Sequence, residues 1–525
     1  MSVLFEEYAG YPDTFDEVMG PNGAIRDAYS GLTRRFMKMD PEEVRSRAEY
    51  LKTQYIDQGV TFDLGGEERP FPLDIIPRVI LEHEWAELEV GVAQRVRAIE
   101  AFLADVYGEG RVFRDQVIPR KVVVTSPHYH RVMAHYTPPN GVRVQVAGID
   151  LIRDQQGVFR VLEDNVRVPS GVSYVISNRH AMFQAVPEMT NRYRISPVEG
   201  YPLQLLAALR NAAPSGVADP VVVVLTPGVY NSAYFEHSLL ARMMGVELVE
   251  GRDLVCHNGR VSVRTTQGMR PVHVIYRRVD DEFLDPAQFK ADSLLGCAGL
   301  LTAVRAGNLT IANAVGNGVA DDKLVYTYMP DLIRYYLGEE PKLASVQSWR
   351  LEEPAHREEV MDRLGELVIK PVDGSGGKGI VIGPRASKEE LEKLRAKVLE
   401  DPRGWIAQPV VQLSTVPTMI DGKVRPRHVD LRPFAVNKGD EVYVLPGGLT
   451  RVALPEGELI VNSSQGGGSK DTWVLSGPKP KREKVNIAAL EAIPMVELGE
   501  EIILPSHSQQ QQQQQDNGER GRHAE

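Results

Sequence analysis

A glycine-rich stretch between two β-branched runs is the first feature of this sequence whose residues could do chemistry. It spans residues 367–383 and reads LVIKPVDGSGGKGIVIG. Glycine has no side chain that would keep a ligand away, so a strand–glycine loop–strand unit lets the backbone approach phosphate groups closely. Lysines at the end of the first strand and inside the loop would add positive charge. The candidate phosphate-binding residues of this stretch are Lys370, Gly374, Ser375, Gly376, Gly377 and Lys378.

Two common phosphate-binding motifs do not fit the stretch. A P-loop ending at Lys378 requires Gly at position 372 and Ser or Thr at position 379, where the chain has Val372 and Gly379. A G-x-G-x-x-G fingerprint opens a helix, whereas this loop leads into a second strand. The simple alternative is a β-hairpin with a glycine-rich turn. The other parts of a nucleotide site must therefore be found elsewhere in the chain.

A second set of chemical groups lies upstream, in residues 144–165, which predict a hairpin with its turn at residues 154–157. Glu163 and Asn165 are two residues apart, so their side chains point to the same face of a strand. If the turn closes symmetrically, Asp150 lies diagonally across from Glu163, with about 7–8 Å between the backbones. Two carboxylates and an amide oxygen suit Mg²⁺ or Mn²⁺ shared with phosphates. The alternative is a polar strand face in solvent.

Composition limits the functional classes. The formal net charge of −11 argues against a surface for nucleic acid or anionic membranes, where a basic footprint is expected. The two cysteines, Cys256 and Cys297, are too few for a disulfide framework or a zinc site. The first residues contain no apolar signal-peptide core, and the apolar runs are too short to span a membrane. We therefore expect a cytoplasmic protein without nucleic-acid or membrane partners.

The spacing of apolar residues predicts the elements that must position these groups. Helices are predicted from Asp40-Pro41 onward and over about residues 80–108, and a strand is predicted at residues 121–124. Strands that alternate with helices between residues 217 and 315 predict a parallel sheet. The strands predicted over residues 428–452 follow an antiparallel pattern. The chain length of 525 residues suggests two to four domains.

The order of these parts resembles a known nucleotide site. The elements that resemble an ATP-grasp site are Lys323, Lys370-Pro371, the glycine loop and a hinge strand with Gln408 and Val411. In that family the E-x-N metal motif normally follows these elements, whereas here Glu163 and Asn165 precede them. This inverted order resembles the circularly permuted ATP-grasp proteins, relatives of glutathionylspermidine synthetase. Over most of residues 10–475, the motifs that resemble their type 2 branch are LEDNVRVPSG, YRRVDDEFLDP, ANAVGNGVADDK, KPVDGSGGKG, DLRPFAV, GGLTRVA and SSQGGGSKDTW.

The resemblance implies an α/β (α+β) chain with the ATP-grasp fold in circularly permuted order, a Rossmann-like α/β layer and N-terminal helices. The implied regions are N-terminal helices (1–118), a permuted ATP-grasp segment with the metal ligands (119–216), a Rossmann-like region (217–315), an ATP-grasp nucleotide-binding segment (316–475) and a C-terminal tail (476–525). The glutamine-rich composition of the tail predicts disorder from about residue 505.

The resemblance also implies roles for individual residues. The implied contacts to ATP phosphates and adenine are Lys323, Lys370, Gly374, Ser375, Gly376, Gly377, Lys378, Gln408 and Val411. The implied ligands of one or two Mg²⁺ ions are Asp150, Glu163 and Asn165. A guanidinium fork fits carboxylate and phosphate groups, and the candidates for such contacts are Arg167, Arg432 and Arg451. The alternative for these arginines is a surface or structural ion pair.

The implied activity is carboxylate–amine ligation that depends on ATP and on Mg²⁺ or Mn²⁺. A substrate carboxylate attacks the γ-phosphate, and an amine then displaces phosphate from the acylphosphate, which yields an amide, ADP and phosphate. The expected partners are a small-molecule acid and an amine or peptide. Two alternatives stay open, namely phosphoryl transfer without ligation and a nucleotide-binding partner protein that no longer catalyses.

Overall fold

The computed structural model of the protein describes residues 8–64, 67–373, 379–461 and 467–476. The predicted glycine-loop residues 374–378, part of the SSQGGG motif and the predicted disordered tail lie outside these ranges. The α-helices are α1 (Asp27–Phe36), α2 (Pro41–Asp57), α3 (Glu82–Val106), α4 (Arg111–Arg114), α5 (Arg120–Val124), α6 (Val172–Ala185), α7 (Pro187–Thr190), α8 (Tyr201–Asn211), α9 (Tyr234–Met244), α10 (Asp281–Leu284), α11 (Leu300–Arg305), α12 (Lys323–Tyr326), α13 (Met329–Leu337), α14 (Pro354–Asp362) and α15 (Lys388–Glu400). In the part of the chain that is described, no helix is long and apolar enough to cross a bilayer.

The strands form one large sheet and several smaller ones. In chain order they are β1 (Thr61–Leu64), β2 (Glu67–Pro70), β3 (Leu73–Leu81), β4 (Val146–Arg153), β5 (Phe159–Asn165), β6 (Arg194–Ile195), β7 (Val222–Leu225), β8 (Glu247–Val249), β9 (Leu254–His257), β10 (Arg260–Thr265), β11 (Gly268–Val272), β12 (Val274–Arg277), β13 (Thr310–Ala312), β14 (Ala344–Ser345), β15 (Trp349–Arg350), β16 (Leu367–Pro371), β17 (Val381–Ile382), β18 (Trp405–Pro409), β19 (Thr415–Ile420), β20 (Lys423–His428), β21 (Arg432–Asn437), β22 (Val442–Val452) and β23 (Gly468–Ser476).

The large sheet has eight strands in the order β14-β5-β4-β21-β22-β23-β3, with β6 paired to β23. Alternate residues of its strands enter two different hydrophobic cores, because successive side chains of a strand point to opposite faces. On β23, Trp473 belongs to the core that contains helix α6, whereas Val474 belongs to the core that contains α3. The sheet is therefore covered on both faces, which explains why β4 and β21 are buried along their whole length.

A separate four-stranded sheet lies in the region where strands alternate with helices. Its order is β13-β12-β7-β8, and all of its pairs are parallel. The parallel sheet predicted for residues 217–315 is thus confirmed. Such a sheet leaves the loops that follow its strands at one common edge. One of these loops, between β7 and α9, contributes Ser232 and Ala233 to the cavity described below.

A third sheet, in the order β15-β18-β16-β17, carries the ends of the glycine loop. Val368 pairs with Ile382 and Ile369 with Val381 in antiparallel register, so the two strands predicted on either side of the glycine stretch are confirmed. The following helix α15 begins at a capping box in which the Ser387 hydroxyl accepts a hydrogen bond from the backbone N–H of Glu390 (3.2 Å). The Glu390 carboxylate accepts one from the backbone N–H of Ser387 (2.8 Å), which fixes the start of the helix.

The hairpin of β4 and β5 differs from its prediction in register. Asp150 lies directly opposite Glu163, whereas the next residue, Leu151, pairs with Val161. Leu162 is therefore the extra residue of a β-bulge, which adds one residue to β5 relative to β4. The diagonal offset predicted for Asp150 and Glu163 is wrong, because it assumed a hairpin without a bulge. The bulge brings the two carboxylates closer than the prediction did.

Residues 120–124 also differ, since they form helix α5 and not the predicted strand. Pro119 precedes the helix in an extended conformation, and its carbonyl accepts a hydrogen bond from the Val122 N–H (3.0 Å). Val122 and Val123 are buried in the core that contains α3. The strand preference of three successive valines is weak compared with burial of two of them in a preformed core.

The middle residue of the E-D-N motif anchors strand β5 to helix α3. The Asp164 carboxylate accepts two hydrogen bonds from the Arg95 guanidinium, at 2.5 and 2.8 Å, and both side chains are almost completely buried. A second anchor is the Asn313 side chain, whose Nδ2 donates to the carbonyls of Val146 (2.7 Å) and Val166 (2.9 Å). These contacts fix both ends of the segment that carries Glu163 and Asn165.

We predict that Asp164→Asn destabilises the protein strongly. Removing one charge of a buried ion pair leaves Arg95 uncompensated, which costs about 3–5 kcal/mol. The exposed pair of Glu389 and Lys393 is the matched control, and Glu389→Gln should change the free energy of unfolding by no more than about 0.5 kcal/mol. Urea unfolding followed by tryptophan fluorescence measures both. Equal midpoints for the two variants would show that the buried pair does not anchor the strand.

Candidate active site

One cavity of about 530 Å³ is lined by strands of the large sheet and of the small antiparallel sheet. Every predicted site residue that the structure describes lines this cavity. These residues are Asp150, Glu163, Asn165, Arg167, Lys323, Lys370, Gln408, Val411, Arg432 and Arg451. The other predicted residues, 374–378, lie outside the described ranges, although Pro371 and Ile380 on either side of them line the same cavity. Residues from distant parts of the sequence thus share one site.

Two lysines face the middle of the cavity. The Lys323 ammonium lies 3.6 Å from the Glu163 carboxylate. The Lys370 side chain is 9% exposed, and its ammonium group forms no ion pair with any described residue. Burial is the main cause that lowers the pKa of Lys370 to about 8; Glu163 opposes this shift, and the charge of Lys323 makes a smaller contribution that adds to it. A buried ammonium group without an ion-pair partner among the described residues is suited to receive an anion.

Glu163 and Asn165 supply oxygen atoms of the kind that Mg²⁺ prefers. The Glu163 side chain is 29% exposed toward the cavity, so its carboxylate is accessible. The buried Nδ2 of Asn165 has no hydrogen-bond partner in the described structure. Groups of three or more His, Cys, Asp or Glu side chains that could hold a metal are absent from the described ranges. A metal ion here would therefore need Glu163, Asn165 and further oxygens from phosphates.

Asp150, the third predicted metal ligand, is held by two arginines. Its carboxylate accepts hydrogen bonds from Nε and Nη2 of Arg432, the latter at 2.8 Å, and from Nη2 of Arg451 at 2.7 Å. Burial alone would raise the pKa of Asp150, but the two guanidinium groups outweigh it and hold the pKa well below its usual range. Asp150 is thus a fully charged carboxylate with most of its acceptor positions in use. Its role as a metal ligand stays a prediction.

Arg432 and Arg451 form a network with Asp150 and Asp430. Arg451 donates from Nε to both oxygens of Asp430 at 3.0 Å, and burial raises the pKa of Asp430 against the opposing charge of Arg451. Arg432 also donates from Nη1 to the carbonyl of Ser170 (3.2 Å). Nη1 of Arg451 donates to no group in the described residues, so this nitrogen is available to a ligand in the cavity.

Arg167 lies on a more acidic side of the cavity. Its guanidinium group is 3.5 Å from Asp280 and 3.5 Å from Asp321, so two carboxylates face one positive charge. Burial raises the pKa of Asp321 to about 7, and Arg167 only partly opposes this shift. Burial, together with Arg167, lowers the pKa of the neighbouring His128. This excess of acidic groups makes Arg167 a weaker candidate for an anion contact than Arg432 and Arg451.

The hinge strand β18 forms the wall at the other end of the cavity. Gln408 pairs with Val368, and its side-chain amide donates a hydrogen bond to the Ser348 hydroxyl (3.0 Å). Pro409 has no N–H, so Val411 is one of the residues after it that can offer a backbone donor to a base edge. The neighbouring lining side chains are apolar, which suits a flat ring; they are Val368, Ile380, Ile382, Val410, Leu413, Leu459, Ile460 and Val461.

Several cavity residues were not predicted. Asp430 could have been found, because it precedes Arg432 by two residues in the DLRPF motif and so points to the same face. Asp321 could have been found as well, because it lies two residues before Lys323. Phe71 and Tyr174 come from segments in which the sequence analysis found no candidate catalytic or binding residue, and only the folded chain brings them to the cavity.

The chain belongs to the circularly permuted ATP-grasp type 2 family, whose model matches residues 77–453. The family resemblance seen in the motifs is therefore confirmed. Over 466 residues the chain is 60% identical to an uncharacterized protein of Mycobacterium tuberculosis, covering 89% of this chain and 85% of that one. Over 467 residues it is 50% identical to an uncharacterized protein of Synechocystis, covering 88% of this chain and 97% of that one.

Two further comparisons concern ligases and the fold. A Frankia casuarinae protein with the provisional name glutamate–cysteine ligase 2-2 is 45% identical over 475 residues, which covers 90% of this chain but only 54% of the relative. The chain thus spans about half of that protein. The solved apo structure of a glutathione synthetase-like effector from Globodera pallida matches with a TM-score of 0.53 and 12% identity, covering 83% of this chain and 98% of that one. This likeness supports the ATP-grasp fold alone.

We predict that nucleotide binding takes up a proton at Lys370. Phosphate charge next to the buried ammonium favours its protonated form, so the lowered pKa moves back upward on binding. With a pKa of about 8 in the free protein, uptake should be about 0.5 proton per nucleotide at pH 8 and about 0.1 at pH 7. Nucleotide affinity should fall as the pH rises above 8. Isothermal titration calorimetry with ADP in buffers of different ionisation enthalpy measures the uptake.

Lys370→Arg is the control for this prediction, because arginine stays protonated throughout this pH range. The variant should bind ADP without the proton uptake seen at pH 8. If the uptake of the unmodified protein and of Lys370→Arg is the same, another group is responsible and the titration assigned to Lys370 is wrong.

Proposed function

We propose that the protein is an ATP- and Mg²⁺-dependent carboxylate–amine ligase. An oxygen of the substrate carboxylate attacks the γ-phosphorus of ATP, the bond to the bridging oxygen breaks, and ADP leaves. The amine nitrogen then attacks the carbonyl carbon of the acylphosphate, phosphate leaves and the nitrogen loses a proton. The products are an amide, ADP and phosphate. The substrates are a small acid and an amine or a peptide.

The observation that carries this proposal is the buried ammonium of Lys370, which forms no ion pair with any described residue. An incompletely compensated buried charge is destabilising, and an anionic ligand in the cavity would compensate it. The same cavity is lined by Glu163 and Asn165, whose oxygens could bind a metal ion. It is also lined by Arg432 and Arg451. Phosphate, metal and carboxylate recognition in one cavity is the combination that acylphosphate chemistry requires.

The roles that we propose for these residues follow from their charges. Lys370 and Lys323 bind the phosphate oxygens and neutralise the charge that develops on the γ-phosphoryl group. Glu163 and Asn165, with Asp150 as the third predicted ligand, hold the metal. When bound, Mg²⁺ polarises the phosphate oxygens and neutralises negative charge on them. Residues 374–378 are proposed to cover the phosphates and keep water away from the acylphosphate.

Arg451 is the preferred contact for the substrate carboxylate. Arg451 lines the cavity and its Nη1 has no acceptor among the described residues, and the neighbouring Arg432 adds a second guanidinium group. A hydrogen bond from this Nη1 to one oxygen of the substrate carboxylate would leave the other oxygen to attack the γ-phosphorus. Arg167 has two carboxylates beside it. We therefore propose that this side of the cavity faces the amine substrate.

The relatives agree with this class of reaction. The provisional name of the Frankia casuarinae protein describes a carboxylate–amine ligation. Because the chain spans only 54% of that protein, glutamate and cysteine are not adopted as the substrates. The proposal is therefore for the reaction class, with both substrates to be identified.

Release of ADP from MgATP in the presence of substrate pools tests the proposal. ADP formed only when an acid pool and an amine pool are both present supports ligation. ADP formed with one pool alone would indicate phosphoryl transfer or hydrolysis. Tight binding of ADP without turnover in any pool would favour a nucleotide-binding partner protein and contradict the proposal.

Within this assay, Glu163→Gln should abolish turnover that depends on Mg²⁺. The variant keeps the shape of the side chain but removes a charged metal ligand, so we expect a loss of at least about 100-fold in rate. The Mn²⁺ affinity of the ADP complex, measured by electron paramagnetic resonance, should fall in parallel. Glu366→Gln, on an exposed pair with Arg363, is the matched control and should leave both quantities unchanged. Unchanged activity in Glu163→Gln would remove Glu163 from the metal site.

A further inference from the structure

Next to Arg432, part of the cavity is lined by described residues that carry no charge. We call this part the distal subsite and define it by Phe71, Gly171, Tyr174, Ser232, Ala233 and Leu449. It has no part in the nucleotide site predicted from the motifs. Its walls come from the loop before β3, from the start of α6, from the residues before α9 and from β22.

Strand pairing fixes the distal subsite next to the arginines. Leu449 on β22 lies directly opposite Arg432 on β21. Arg451 follows Leu449 by two residues on the same strand, so the two side chains share one face. Gly171 lies against Leu449, since a Cβ built on this glycine would be 2.7 Å from Leu449 Cδ2. The residue before it, Ser170, accepts the hydrogen bond from Arg432. The subsite therefore begins where the guanidinium groups end.

Aromatic rings form the far wall of the subsite. The Tyr174 ring lies 4.5 Å from the Phe71 ring and 5.7 Å from the Phe235 ring, measured between centroids. The Tyr174 hydroxyl donates to the carbonyl of Thr61 (3.1 Å), so this polar group is already engaged. The ring of Tyr174 is therefore the part that a ligand meets. At Gly171 the absence of a side chain lets Leu449 pack against the backbone, since a Cβ there would clash with Leu449.

The charged groups behind this wall compensate each other. Glu236 accepts hydrogen bonds from the backbone N–H groups of Gly171 (2.6 Å) and Ser173 (3.2 Å), and Arg278 donates to its other oxygen (3.0 Å). Neither Glu236 nor Arg278 lines the cavity. Among the described residues, the charged groups that line the cavity belong to its nucleotide, metal and arginine parts. A charged group deep in the distal subsite would therefore have no described side chain of opposite charge beside it.

We propose that the distal subsite binds the body of the acid substrate, and that this acid is a monocarboxylate with an uncharged, largely apolar body. The inference rests on the proposed ligase function, because Arg432 and Arg451 hold the carboxylate at the entrance of the subsite. The body of the acid then extends over the Tyr174 and Phe71 rings. An amino acid with a second carboxylate would bring two further charges, and desolvating unpaired charges is strongly unfavourable.

Direct binding of small acids tests this inference. The full-length protein is titrated calorimetrically with hexanoate, 3-phenylpropanoate, glutarate and glutamate, in parallel with and without saturating MgADP. We expect hexanoate and 3-phenylpropanoate to bind at least 10-fold more tightly than glutarate and glutamate. The inference would be overturned if the four acids bound with equal affinity or if glutarate or glutamate bound more tightly. It would also be overturned if neither hexanoate nor 3-phenylpropanoate bound.

A variant that adds one charge to the wall makes the test specific. Ser232→Lys places an ammonium group in the distal subsite and should reduce or reverse the preference, by at least 10-fold in the ratio of hexanoate to glutarate affinity. Leu203→Lys adds the same charge on an exposed position of α8 and should leave this ratio unchanged. The same change of ratio in both variants would show that the effect is not located in the subsite.

The two proposals fail in different ways. If the protein does not bind MgADP or release ADP with any pair of pools, the ligase function fails, whatever the order of the acid affinities. If it ligates but prefers acids with charged bodies, the ligase function stands and the assignment of the distal subsite is wrong.

Discussion

The buried carboxylate of Asp150 is the constraint on which the site depends. A charge removed from water in this way is tolerated only if opposite charges and hydrogen bonds satisfy it. Arg432 on β21 and Arg451 on β22 satisfy it, so the charge of one strand fixes the side chains of two others. The β-bulge sets Glu163 directly opposite this braced residue. The strand pairing of the large sheet therefore determines where these side chains lie in the cavity.

Lys370 shows the opposite treatment of a buried charge. Whereas Asp150 is compensated within the protein, the ammonium of Lys370 has no ionic partner in the described structure, and its pKa falls to about 8. The incompletely compensated charge lowers the stability of the free protein, and under the proposed function a bound phosphate would compensate it. The charge of Asp150 thus joins neighbouring strands, whereas the charge of Lys370 is the one that we propose a ligand compensates.

The sequence predicted the chemistry of the site better than its shape. The motifs around Glu163, Lys323, Lys370 and Arg432 pointed to residues that all line one cavity, because metal and phosphate contacts need particular side chains. The register of the β4–β5 hairpin was missed, because a bulge leaves no clear mark in an alternating pattern. The helix at residues 120–124 was missed because burial of two valines outweighs their local preference. Tyr174 and Phe71 were unpredictable, since their position depends on packing between distant segments.

The permuted order of the chain matters little to this site, because a site depends on which strands are neighbours and not on which comes first. The candidate metal ligands Glu163 and Asn165 lie on β5, early in the chain, yet the Glu163 carboxylate is 3.6 Å from Lys323 of α12. Strand β4 pairs with β21, and this pairing joins the early and late segments within one sheet. The parallel sheet of residues 222–312 is inserted between them along the chain and brings the loop before α9 to the far end of the cavity. Under the proposed function, the segments before and after this insertion would supply the groups that bind phosphate, whereas the inserted region would supply wall residues next to the acid substrate.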